Sequence, residues 1–99
     1  MSEQLEIIKK QSDVEVEFVL NGRLDTLTCP KLEEELKTLD GIIKVVFDLK
    51  DLKYISSAGL RIILSLVRRY NDSFSLRNVS KDILEILEIT GFIDFVTVE

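Results

Sequence analysis

The stretch from Asp48 to Leu64 reads Asp-Leu-Lys-Asp-Leu-Lys-Tyr-Ile-Ser-Ser-Ala-Gly-Leu-Arg-Ile-Ile-Leu, and it limits the available folds more than any other part of the chain. A strand-like run, Lys44 to Leu49, meets a polar turn, and two serines follow where an apolar pattern of helical period begins. Serine is favoured at a helix start because its hydroxyl accepts hydrogen bonds from backbone N–H groups that the first turn leaves unpaired. The positive end of the helix dipole also tolerates a phosphoryl group there. Ser56 and Ser57 are therefore both candidates, one as cap and the other as acceptor.

The flanking segments extend this into a repeated strand–helix pattern. Val14 to Leu20 alternates with the period of a strand that buries one face, and Leu5 to Lys9 can pair with it across a turn at Gln11, Ser12 and Asp13. Asn21 and Gly22 are expected to close that strand. Thr28, Cys29 and Pro30 suit a helix start, and Cys29, Leu32, Leu36 and Leu39 form one apolar stripe up to the stop at Asp40 and Gly41. Ile42 to Leu49 shows little alternation, which predicts a central strand covered on both faces by helices.

Beyond Ser57, the positions Leu64, Leu60, Val67, Ile63, Tyr70, Leu66 and Ile62 span an arc of roughly 200° on a helical projection. Two readings follow. The helix packs against both the sheet and a neighbouring helix, or Ile62 and Leu66 at the arc's edge stay partly exposed for a partner protein. Asn71 and Asp72 break the pattern, and Phe74 to Leu76 suits a short strand. Ser80 caps a helix over Lys81 to Ile89 that packs through Ile83, Leu84 and Leu87, with Phe92 a further candidate, and Gly91 stops it. Phe95 to Val98 suits a last edge strand. The sum is one α/β domain over residues 1–99, with a mixed, mostly parallel sheet of four to five strands and helices packed against it.

Composition narrows the chemistry. The 99 residues contain no histidine, which removes the usual general base and every imidazole metal site. Cys29 is the single cysteine and reads as a structural thiol. Asp25, Asp48 and Asp51 have no recognised metal-ligand spacing, and the four glycines form no phosphate-cradling loop. No metal, no cofactor and no catalytic residue is expected. A net charge of −5 disfavours nucleic acid, although Arg61, Arg68 and Arg69 gather on one helix, as a solvated face or as a contact patch for an acidic partner. Met1 to Gln4 is polar, and no apolar run approaches the ~20 residues that cross a membrane. The expectation is a soluble, cytoplasmic, membrane-free protein.

Gly22-Arg23-Leu24-Asp25, Phe47-Asp48-Leu49 and Tyr54-Ile55-Ser56-Ser57-Ala58-Gly59-Leu60, with Ile86-Leu87-Glu88-Ile89-Thr90-Gly91-Phe92 near the end, resemble the STAS domain of bacterial anti-sigma factor antagonists. The resemblance implies a switch and not an enzyme. In such proteins the unmodified antagonist binds an anti-sigma factor that is also a serine kinase and so frees a sigma factor; phosphorylation ends the interaction and a serine phosphatase restores it. The family's motif selects Ser57 as acceptor, with Ser56 as the alternative, because Ser56 stands where aspartate is usual. The same resemblance places Asp25, Ser56, Ser57, Ala58 and Gly59 on the partner surface, with Arg61, Ile62 and Leu66 added from the helix. Asp25, Asp48 and Asp51 are expected near the same end of the sheet. The segment between Tyr70 and Leu76 is shorter than usual for the family. A second reading keeps the fold and drops the switch, as a constitutive scaffold or as a subunit of a signalling or lipid-transport assembly.

Overall fold

The computed structural model describes residues 4–99. Among them six strands and three α-helices follow in order: β1 (Leu5–Ser12), β2 (Glu15–Leu24), α1 (Cys29–Lys37), β3 (Lys44–Asp48), β4 (Leu52–Ile55), α2 (Ser57–Tyr70), β5 (Phe74–Arg77), α3 (Lys81–Thr90) and β6 (Thr97–Val98). β1 and β2 form an antiparallel hairpin over a tight turn at Asp13, whose φ of 54° aspartate tolerates better than most residues. All other pairings are parallel, giving the order β1-β2-β3-β5-β6 with β4 also on β2. The fold class expected from the sequence is the one observed, with more strands than expected.

The additional strand is β4. Its residues, Leu-Lys-Tyr-Ile, lie in the stretch expected to be a polar turn, but Leu52 and Ile55 are buried and pair with Gly22 and Leu24. Asn21 and Gly22 therefore do not close β2, which runs on to Leu24. The pairing jumps at this point, and Gly22 supplies the distortion with a φ of 112°, where an added Cβ would sit 2.4 Å from the carbonyl oxygen of Gln4.

β3 is not covered on both faces. Successive strands step across the sheet in one direction, and right-handed strand–helix–strand connections then put every helix on the same side. Val16, Phe18 and Leu20 of β2, Val45 and Phe47 of β3, and Phe74 and Leu76 of β5 join the buried residues of all three helices in a single core. Phe18, Phe47 and Phe74 meet edge to face across three adjacent strands, with ring centroids 6.0 and 5.1 Å apart. The opposite face carries Lys10, Glu17, Asp48, Ser75 and Arg77 around a buried Val46, whose unbroken apolar neighbours in sequence hid the alternation.

Two local devices fix the ends of this framework. On the uncovered face Glu99 accepts from the Ser75 hydroxyl at 2.6 Å and pairs with Arg77 at 3.1 Å, and Arg77 also reaches Glu17 at 3.3 Å. The Ser75 hydroxyl, then Arg77, hold the Glu99 carboxyl below its ordinary range. At the other end, Gly59 lets α2 sit directly on β4 and β2: a Cβ there would lie 2.7 Å from Ile55 Cγ1 and 3.0 Å from Leu24 Cγ.

Gly59→Ala is expected to cost about 1–3 kcal/mol through this overlap, read as a lower urea midpoint; an unchanged midpoint contradicts the close seating. Because the folded carboxyl of Glu99 is depressed, its contribution is complete above the ordinary glutamate value and is lost as pH falls through the folded value. For a surface network this amounts to about 1 kcal/mol or less. The stability difference between the unaltered chain and Glu99→Gln should be present at neutral pH and vanish in acid; a difference independent of pH contradicts it.

Candidate functional site

The end of β2 and the start of α2 meet edge to edge. Leu24 accepts at its carbonyl from the Ser56 N–H at 2.9 Å, which draws the loop after β2 beside the first turn of α2. Ser56 has the extended backbone of a cap, and its hydroxyl accepts from the Gly59 N–H at 3.3 Å while its carbonyl accepts from Leu60 N–H at 2.9 Å. Ser57 is the first helical residue. It is exposed, and its hydroxyl has no hydrogen-bond partner among the described residues. The two serines are thus chemically unequal: one is engaged in holding the helix start, and the other faces solvent.

The adjacent loop is held rigidly by Asp25. Its Oδ1 accepts from the N–H groups of Leu27 and Thr28 at 3.0 and 3.1 Å, and Oδ2 lies 3.5 Å from Arg23 Nε. Loss of hydration pushes the carboxyl up, but the Thr28 and Leu27 amides, the Thr28 hydroxyl and Arg23 together outweigh it, and Asp25 titrates below its ordinary range. Arg23 also stacks 4.4 Å over the Tyr54 ring, tying the loop to β4. Thr28 is buried, donating to the Arg23 carbonyl at 2.8 Å and accepting from Asp25 N–H at 2.9 Å. Thr28 and Leu27 were not legible as site residues, although the Asp-x-x-Thr spacing is one that closes such a turn. The consequence is an exposed Leu27, 80% accessible, on a fixed backbone.

A groove of about 650 Å³ runs from this junction between α1 and α2, with Cys29, Glu33, Ala58, Arg61, Ile62 and Ser65 among its lining residues. Burial, then Glu33 and Asp25, push the Cys29 thiol up, with Arg61 partly opposing them, so the thiol is held protonated.

Of the residues singled out from the sequence, Asp25, Ser56, Ser57, Ala58 and Arg61 gather around this junction. Gly59 is buried beneath it and acts through packing. Ile62 and Leu66 do not remain partly exposed: they are 5% and 4% accessible, because α1 packs over that side of α2 while the sheet takes Leu60 and Ile63. Asp51 lies beside Gly22, whose N–H donates to the Asp51 carbonyl at 3.0 Å. Asp48 does not share this end of the sheet. It pairs in register with Val19, about six residues or ~20 Å along β2 from Asp25, and its carboxylate receives Lys50 N–H and the Asn78 amide. No cluster of three metal-ligating side chains occurs among the described residues, and no helix there is long and apolar enough to cross a membrane.

The model of the STAS domain family matches residues 6–99. The anti-sigma-B factor antagonist of Bacillus subtilis is 27% identical over 93 residues, covering 90% of this chain and 85% of that protein. That of Staphylococcus aureus is 31% identical over 87 residues, covering 83% and 81%. The fold is also that of the Bacillus cell fate determinant SpoIIAA, solved unphosphorylated (TM-score 0.80, 15% identity, 95% of this chain and 88% of that one) and phosphorylated (TM-score 0.72, 15% identity, 95% and 91%). The chain belongs to the STAS domain family, and within it to the anti-sigma factor antagonists.

Proposed function

We propose that this chain is the antagonist of a partner switch in the cytoplasm: unphosphorylated, it binds an anti-sigma factor with serine kinase activity and so releases a sigma factor, and phosphorylation of Ser57 ends that binding until a serine phosphatase removes the phosphate. The observation that carries the reading is the inequality of the two serines. Ser56 uses its hydroxyl in the helix cap, whereas the Ser57 hydroxyl is exposed and has no hydrogen-bond partner among the described residues. In the modification the Ser57 oxygen bonds the γ-phosphorus of ATP, the hydroxyl proton is lost and ADP leaves. The chain supplies the acceptor; the kinase supplies the catalysis.

The switch works by charge and bulk. A phosphoserine adds about −1.5 to −2 charges at neutral pH at a surface already carrying Asp25. A partner shaped for a neutral hydroxyl then meets a buried or like-charged phosphate, at a cost of several kcal/mol, which is more than tenfold in affinity. The rigid loop at Asp25 and the tightly seated α2 let this happen without a change of fold. SpoIIAA, which shares the fold, exists in both phosphorylation states, and that supports the reading.

Ser57→Ala should bind the anti-sigma factor and resist phosphorylation, and Ser57→Asp should bind at least about tenfold more weakly; titration calorimetry and mass spectrometry of the kinase reaction read both. Ser56→Ala should lose about 0.5–2 kcal/mol of stability with its cap and still be phosphorylated. Full modification of Ser57→Ala, or equal affinity of the alanine and aspartate forms, contradicts the proposal; the latter favours a constitutive scaffold.

A further inference from the structure

Arg61 lies on α2 and lines the α1–α2 groove. It is exposed, and it takes part in none of the ion pairs or side-chain hydrogen bonds among the described residues, whereas Arg23 and Arg77 are both committed to carboxylates. Its place on α2 is specific. It stands four residues after Ser57, so the two side chains occupy the same strip of the helix surface. Helical side chains lean toward the N-terminus, and a long one at the later position reaches back over the earlier. An acidic group preceding a basic one by four residues is the favourable orientation of such a pair.

We infer that Arg61 is the internal counter-ion of phosphorylated Ser57, drawn by the phosphate out of the α1–α2 groove. The inference rests on the assignment of Ser57 as acceptor and concerns what the phosphate then does. A phosphomonoester offers three strong acceptor oxygens, and a guanidinium offers a planar fork of donors that matches two of them. The competing groups are few. Asp25 is occupied by two backbone amides and by Arg23, and Glu33, across the groove on α1, is the acidic side chain left for Arg61 in the unmodified chain. Lys37 lies 3.6 Å from Glu34, and Arg69 stacks on Tyr70 three turns from Ser57. Phosphorylation then has two effects on a partner: it adds an anion at Ser57, and it withdraws the cation that lines the groove beside Ala58.

The test installs phosphoserine at position 57 during translation and follows its second ionisation by phosphorus NMR. With Arg61 present the phosphate should lose its second proton at a pH roughly 0.15–0.4 lower than in the same phosphoprotein carrying Arg61→Gln. The gap should close in about 1 M salt, where the Debye length is near 3 Å. Arg69→Gln should leave the titration where it was. Identical titrations with and without Arg61, or an equal effect of Arg69→Gln, overturn the inference. Because the phosphate is placed without a kinase, a kinase that ignores Ser57 counts against the proposed function and leaves the Arg61 result standing on its own.

Discussion

The approach of α2 to the end of β2 is the constraint on which the candidate site is built. One backbone hydrogen bond, from Ser56 N–H to the Leu24 carbonyl, sets the junction. Gly59 allows it, since any side chain there would occupy the space of Ile55 and Leu24. With the helix start pinned this closely, the Ser56 hydroxyl is turned into the cap and Ser57 is turned outward. The register distortion at Gly22 serves the same end, because it lets β2 run on and pair with β4 just before the serines.

A site built this way is suited to a local change of charge. Its loop is held by Asp25 and Thr28 through four hydrogen bonds, its helix by a side-chain cap, and its core by the mostly parallel sheet beneath. No hinge is needed to present or withdraw the Ser57 hydroxyl. Leu27 is held on that loop in an exposed position.

Much of this was legible in the residues. The hairpin, the three helices with their stops at Asn71 and Gly91, the cap at Ser80 and the serine pair at a helix start all follow from period, capping and turn chemistry. What was hidden has physical causes. The strand Leu52–Ile55 is short and interrupted by Lys53 and Tyr54, so its pairing with β2 outweighs a local sequence that reads as turn. Val46 completes an apolar run that suggests two covered faces, but the one-directional order of strands places all helices on one side. Ile62 and Leu66 sit at the edge of the helical arc, and only the position of α1 decides that they are buried. Asp48 ends a strand and Asp25 follows one, but register along β2 separates them, and register is not written in either strand alone.

The central claim is that phosphate at Ser57 acts by local charge on an unchanged fold. Comparing backbone amide spectra of the unmodified chain with those of the chain carrying phosphoserine at position 57 tests it most directly. The account predicts shifts confined to the Asp25–Cys29 loop and the first turns of α2, with β3, β5 and α3 unmoved. Changes spread through those elements would contradict it and point to a conformational switch.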